Sequence, residues 1–305
     1  MHPGFLTPSH LAPLLLAATE RGEVAAVFAV VSHPDPQQLG GRVLFSGRPP
    51  GHDPHLADTF SAAGRREAGP VSPPGLEAHG AFSGPAAHQA ARELGARGIG
   101  GDPAVLPGLH TLPLEDGGEM RVYLELHHPS REMVIVGAGH VAQPLCTLGA
   151  LLGLRVRVLD DRPAFATPER FPEAHEVRRV DFSDPFAGVP LHPWTHVVLV
   201  TRGHRYDYEC LRKLLLSPSL PGYMGMIGSR RRVRATFEAL VREGIDPELL
   251  RRVRSPIGLD IGGETPEEIA VSVAAEIVHL WRGGSCRPMR ETESILDRFV
   301  MRGEP

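Results

Sequence analysis

From about residue 131 onward, short apolar runs alternate with amphipathic stretches. Met133–Val136 predicts a strand, Gly137–Gly139 a turn, His140–Gly153 a helix, and Leu154–Leu159 a second strand ending on Asp160-Asp161. Val177–Val180, His196–Thr201 and Gly222–Ile227 predict further strands. Tyr206–Leu216 and Ser229–Glu243 predict helices, and a short helix opens at Asp246. Continuous apolar runs between helical stretches suit strands covered on both faces, as in a parallel sheet. Thr265-Pro266-Glu267-Glu268 combines a capping box with proline inside the helix start, so a long helix begins there. The fold class predicted for residues 131–284 is α/β, a Rossmann-like doubly wound parallel sheet. Leu154–Leu159 carries Arg155 and Arg157 on one face, which predicts a place near the sheet edge or under a thinly covered face.

Upstream, the pattern is less regular. Val24–Val31, Arg42–Phe45 and Arg121–Leu126 read as strands, the last alternating as R-V-Y-L-E-L with Val122, Leu124 and Leu126 on one face. Leu11–Ala18 reads as a short amphipathic helix rather than a secretion signal, because no Arg or Lys precedes it. Residues 1–130 are expected to form a smaller α+β domain. His127–Arg131 is then a connector, and residues 285–305 a peripheral tail.

Composition narrows the function classes. With 34 Gly and 30 Pro, about a fifth of the 305 residues, the chain should be rich in loops. The net charge of −4 and the lack of a long basic run argue against general nucleic-acid binding. No apolar run approaches the roughly 18 residues of a transmembrane helix, so a cytoplasmic, membrane-free protein is expected. Cys146, Cys210 and Cys286 lie far apart and form no CxxC pattern, and no H-E-x-x-H motif occurs. Neither a disulfide framework nor a zinc site is indicated. No G-x-S-x-G or S-x-x-K motif supports nucleophilic catalysis, so no catalytic residue is assigned.

Candidate chemistry gathers at the predicted strand ends. Gly137-Ala138-Gly139-His140-Val141-Ala142 fits G-x-G-x-x-A between strand and helix. Gly137 permits the turn, Gly139 lets a phosphate approach the backbone, and Ala142 lets helix and strand pack closely. His140 would face a bound phosphate or simply lie exposed at the helix start. Asp160 lies 23 residues after Gly137, where a ribose-binding acid belongs, and one of Asp160 and Asp161 could accept from a ribose or similar diol. Arg162 could hold a 2′-phosphate or pair with Asp161. Gly228-Ser229-Arg230-Arg231-Arg232 places cations in a first helical turn, against the helix dipole, which suits an anion bound there. Arg202, His204 and Asp207 follow another strand; the latter two could do acid/base work or serve only as hydrogen-bonding residues. Gly258, Asp260 and Gly262 form a glycine-rich lead into the last helix, with backbone donors and one acceptor to offer. Alone, the glycine turn and Asp160 would suggest an NAD(P)-dependent oxidoreductase.

The segments VIVGAGHVAQPL, VLDDRPAFA, VVLVTRGHRYD, YMGMIGSRRR and SPIGLDIGGETPEEIAVSVAAEI resemble the XdhC/CoxI family over about Met133–Trp281. That resemblance implies a Rossmann-like domain in an accessory protein that binds molybdenum cofactor (molybdopterin) and helps insert it into a molybdenum hydroxylase such as xanthine dehydrogenase. The implied partners are the hydroxylase itself and a cofactor-synthesis or sulfuration enzyme, and a homodimer is the expected assembly. Family members typically carry an upstream hairpin followed by a Gly-Gly-Cys segment. Here the corresponding hairpin is expected at Gly41–Gly47. It is followed by Arg48-Pro49-Pro50-Gly51, and no Cys precedes Cys146, so a thiol ligand in that half is ruled out.

Overall fold

A computed structural model describes residues 4–48, 76–82, 84–102 and 104–292. Two sheets organise them. The first holds β1 (Val24–Ser32), β2 (Arg42–Gly47), β3 (Glu77–His79), β4 (Gly108–Pro113) and β5 (Glu119–His127) in the order β3-β2-β1-β5-β4. Every pairing in it is antiparallel. Helix α1 (Pro8–Glu20) covers one face through Leu11, Leu14, Leu15 and Ala18. Helix α2 (Pro85–Ile99) covers the other, setting Ala87, Ala91 and Ile99 against Phe28, Phe45 and Val24. Cover on both faces explains why β1 reads V-A-A-V-F-A-V-V without alternation. β5, farther from α1, keeps the alternation expected of it. Arg42–Gly47 is one strand between β1 and β3, not a hairpin, so that expectation is corrected: its second arm is the separate segment Glu77–His79. The Arg48-Pro49-Pro50-Gly51 segment lies, after Arg48, outside the described residues.

The second sheet is parallel throughout. It contains β6 (Glu132–Val136), β7 (Arg155–Asp160), β8 (Glu176–Arg179), β9 (Thr195–Leu199), β10 (Tyr223–Met226) and β11 (Val253–Arg254), ordered β11-β10-β9-β6-β7-β8. The chain winds outward from β6 in one direction, then restarts at β9 and winds in the other. The order therefore reverses between β6 and β9, and ligands in such sheets collect beyond the carboxyl ends at that reversal. Helices α3 (Ala142–Leu151) and α7 (Pro266–Arg282) pack on one face over Met133, Ile135, Val156 and Val198. Helices α4 (His204–Leu215) and α5 (Arg230–Arg242) pack on the other over Val134, Val136, Val197 and Leu199. A short α6 (Pro247–Leu250) precedes β11. The capping box at α7 is formed: Thr265 accepts from the Glu268 N–H, and the Glu268 carboxylate accepts from the Thr265 N–H at 3.0 Å.

The arginines of β7 show how a charged face fits inside this sheet. β7 stands one strand in from the edge. Arg157 is 9% exposed and lies between Glu132 of β6, at 3.6 Å, and Glu176 of β8. Arg155 also reaches toward Glu132, at 3.8 Å. Cross-strand carboxylates thus neutralise cations that would otherwise be costly to bury.

The two sheets meet at the amino ends of the parallel strands. Trp194, just before β9, is buried in the core of the antiparallel sheet and makes an edge contact with His128. The Arg131 guanidinium lies 4.5 Å from the centre of Trp281 on α7 and 5.9 Å from that of Trp194. His196 is wholly buried there, and burial pushes its pKa down to about 4. Its Nε2 accepts from Trp281 Nε1 at 2.7 Å, so its proton sits on Nδ1 and is donated to the Glu132 carbonyl at 3.0 Å. Trp281 near the end of α7 therefore touches the start of β9, and α7 begins at the opposite, carboxyl edge. Trp194→Ala is expected to cost about 3–5 kcal/mol, the range for emptying a large aromatic site. Denaturant unfolding checks this; an unchanged midpoint would mean the two sheets are not coupled through Trp194.

Candidate functional site

The glycine turn leaves β6 at the point where strand order reverses. Gly137 has φ 107°, and a Cβ on it would lie 2.6 Å from the Val200 carbonyl oxygen, so only glycine fits between the ends of β6 and β9. Its N–H donates to Leu159 O at 2.7 Å. Gly139 differs: a Cβ there would meet nothing within 4 Å, so the backbone lies open to an approaching group. Ala142 is fully buried between helix and strand, and His140 is exposed beside the turn. Arg170 donates to the Ala138 carbonyl at 3.2 Å and, with Arg162, lies over the Phe165 ring.

Asp160 does not present an acceptor to a ribose, contrary to the sequence expectation. It is 1% exposed. Its Oδ2 accepts from the Ala138 N–H at 2.7 Å and from Arg162 Nη2 at 2.8 Å. Its Oδ1 accepts from the Arg162 N–H and Nε, both at 2.9 Å. A carboxylate has about four lone-pair sites, and all four are filled from within the chain. Burial alone would raise this pKa; the Arg162 side chain and the two backbone donors overcome it and hold the carboxyl down at about 2. Arg162 is likewise bonded to Asp160 and makes no pair with Asp161.

Asp161 and Arg202 pair with each other instead, through two bonds of 2.6 and 2.8 Å. Arg202 also lies 4.2 Å from the centre of the Tyr206 ring and donates to its hydroxyl. This clasp links the ends of β7 and β9 across β6. Beside it opens a cleft of about 750 Å³, lined by Asp161, Arg179, Arg205, Tyr206, Arg212 and Lys213 among others.

Asp207 is fully buried and makes no hydrogen bond to His204, so the acid/base pair considered from sequence does not form. Thr201 Oγ1 donates to Asp207 Oδ1 at 2.5 Å, and Arg232 Nε donates to Oδ2 at 2.6 Å. Arg232 Nη2 also donates to the Thr201 carbonyl at 3.1 Å. Burial raises the Asp207 pKa, opposed by Thr201 and Arg232. This network binds the end of β9 to α4 and α5. Sequence reasoning passed over Arg232, grouping it with its two neighbours. The signal was helical spacing: Arg232 shares the inward face of α5 with Thr236, Val233 and Leu240, whereas Arg230 and Arg231 point outward.

Ser229 caps α5, accepting from the Arg232 N–H at 3.4 Å, with Gly228 beside the Arg232 stem. Arg230, Arg231 and Arg205 have no hydrogen-bond or ion-pair partner among the described residues. Gly258 is also corrected: its N–H donates to Glu276 Oε2 at 3.1 Å, and a Cβ there would strike Ser272, so it packs the loop onto α7. Asp260 and Gly262 are exposed in that loop. Among the described residues no cluster of three or more His, Cys, Asp or Glu could hold a metal ion. No described helix is long and apolar enough to cross a membrane.

A family model described as the XdhC Rossmann domain matches residues 133–277, which run from the first parallel strand to the last turns of α7. This half of the chain belongs to the XdhC family. Two known proteins are similar to the chain over a length comparable to the XdhC Rossmann domain. Uncharacterized protein YqeB of Escherichia coli (strain K12) is 33% identical over 174 residues, 57% of this chain and 31% of that protein. A probable xanthine dehydrogenase subunit of Bacillus subtilis (strain 168) is 32% identical over 157 residues, 52% of this chain and 45% of that protein. The chain thus spans less than half the length of either. A crystal structure described as a xanthine dehydrogenase from Bacillus halodurans is similar at TM-score 0.46 and 19% identity, covering 90% of this chain and 96% of that one.

The Asp160 knot has a pH signature. Its folded pKa of about 2 lies below the ordinary 3.8, so its contribution is complete above pH 3.8 and is lost as pH falls toward 2. Asp160→Asn is expected to cost about 2 kcal/mol at pH 7. Stepwise unfolding from pH 7 to pH 2 should show wild type and variant converging. A gap that stays constant would contradict the assignment.

Proposed function

We propose that this chain is an accessory factor for a molybdenum hydroxylase of the xanthine dehydrogenase type, and that its carboxyl-edge crevice holds molybdenum cofactor by the terminal phosphate. The observation that carries this reading is the division of labour among charges. Every carboxylate position on Asp160 is filled internally, while Arg205, Arg230 and Arg231 stand without partners among the described residues, at the starts of two helices. Such a site grips a phosphate and offers a ribose no acid at that position. The backbone at Gly139 is open to an approaching group, and His140, Ser229, Asp260 and Gly262 lie exposed on the loops and helix starts that follow the strands.

The residues present fit the phosphate end of the cofactor. Cys146 and Cys210 offer no thiol to its metal end, being buried, and burial pushes Cys146 up to about 11; the exposed Cys286 follows the end of α7. The molybdenum and its dithiolene supply the redox chemistry of the hydroxylase. This chain's part is to bind, orient and release the pterin phosphate. The similarity to a probable xanthine dehydrogenase subunit supports such a hydroxylase as the partner, with a cofactor-synthesis or sulfuration enzyme upstream, in the cytoplasm. The competing reading, an NAD(P)-dependent oxidoreductase, draws on the glycine turn at the strand-order reversal and is weakened by the saturated Asp160.

The test is purification after co-expression with the cofactor-synthesis enzymes, followed by pterin and molybdenum analysis. Pterin should co-purify. Arg230→Ala or Arg231→Ala should weaken its binding by on the order of 1.5–3 kcal/mol per lost charge-assisted bond. The melting temperature should stay level or rise slightly, because a cation leaves a helix start. Pterin-free protein that carries NAD(P)H and oxidises it steadily, with activity lost in His204→Ala, would establish the competing reading.

A further inference from the structure

The outward side of α7 and the adjoining end of α3 leave an apolar groove between them. Leu148, Leu151 and Leu152 line one wall and Val271, Ala275 and Val278 the other, enclosing about 430 Å³. Leu151 is 79% exposed and Val271 47%. Contiguous apolar surface of this kind marks a contact surface. None of the crevice residues named above lines it, so what covers it is a separate question from the cofactor.

The chain itself turns into this groove. Helix α7 ends on Gly283 at φ 66°, and Cys286 takes φ 55° three residues on. Gly284 and Cys286 form part of the groove lining. A short α8 (Met289–Thr292) follows Pro288, a residue suited to a helix start. Residues 293–305 lie outside the described ones, and their sequence reads E-S-I-L-D-R-F-V-M-R-G-E-P. At about 100° per residue, Met289, Ile295, Leu296, Phe299 and Val300 share one arc of roughly 140°. Arg290, Ser294 and Arg298 fall on the other side. This is the pattern of a helix with one apolar face.

Length and charge fit the groove. The run from Met289 to Val300 and the run from Arg282 back to Val271 each span about 16 Å as helix. The link Gly283–Pro288 falls within the roughly 2–8 residues usual between packed helices. Folded back along α7, the segment sets Met289 near the Arg282 end, Ile295 and Leu296 against Ala275 and Val278, and Phe299 and Val300 against Val271. Glu293, one turn beyond Met289, brings a carboxylate to Arg282, which has no hydrogen-bond or ion-pair partner among the described residues. So short a tether also holds the segment at the groove at an effective concentration of about millimolar, ahead of a free partner.

We infer that residues 289–300 continue α8 as an amphipathic helix packed antiparallel to α7 in this groove, making an outer helix over α3 and α7 from a segment whose position suggests a peripheral element.

Thiol accessibility in the full chain tests this. Val271→Cys in a Cys286→Ser background places one thiol on the groove wall, Cys146 and Cys210 being buried. Val271 is half exposed when the groove stands open, so a thiol there would then react readily with a maleimide. Modification is expected to be slow instead, and Leu296→Asp combined with Phe299→Asp should speed it at least ~10-fold, as release of a docked element does. Arg298→Ala, opposite the apolar arc, should leave it slow. Cys146 and Cys210 should stay unreactive throughout, which shows the parallel sheet intact. The rate should be equal at about 1 and about 100 µM protein, because the cover belongs to the same chain. Rapid modification with the segment unaltered overturns the inference, as does protection indifferent to the two aspartates or lost equally in Arg298→Ala. Protection that appears only at high concentration, or only on adding the hydroxylase, assigns the groove to another molecule and also overturns it.

Discussion

The carboxylate of Asp160 is the constraint around which the carboxyl edge is built. It ends the second parallel strand, is cut off from solvent, and fills all its acceptor positions with Ala138 and Arg162. One bond fixes the glycine turn, and the others curl the chain after β7 back over it. Gly137 then presses against Val200, and the next residue, Thr201, bonds to Asp207 and Arg232. From β7 to α5 the edge is thus one continuous set of contacts. The acids that sequence position makes look like ligands are structural, and it is to the cations left over that the proposed function assigns binding.

The antiparallel sheet sits at the other end of the parallel strands. Trp194, Arg131 and the His196–Trp281 pair form that junction, on the amino side of the strands, away from the glycine turn. The upstream half therefore does not cover the turn through this junction. Crevice and junction use separate residues and can be tested one at a time.

Much of the parallel domain was legible in the chain. Its strands are short, apolar and punctuated by glycine, and the Thr265 box marked a helix start that the structure reproduces. The arginines of β7 pointed to a position near the edge, but their partners, Glu132 and Glu176, come from neighbouring strands and cannot be read from local pattern. Upstream, α2 went unread because P-A-A-H-Q-A-A-R-E-L-G-A-R-G-I is built largely of small residues and has weak apolar periodicity. At the site, the turn itself was legible because glycine chemistry is local. The use of Asp160 was not, since a ribose-binding acid and a turn-locking acid occupy the same sequence position. Arg202 with Asp161 and Arg232 with Asp207 are pairs formed across strands, fixed only by tertiary contact.

The central claim is that the crevice grips phosphate and reads no ribose. Calorimetric titration of the purified chain with ADP and with its 2′,3′-dideoxy analogue tests this directly. The account predicts weak binding of both with affinities within about twofold, because no acceptor at Asp160 is free to lose a partner. A loss of tenfold or more on removing the hydroxyls, about 1.4 kcal/mol, would show that the crevice accepts a diol and would contradict the account.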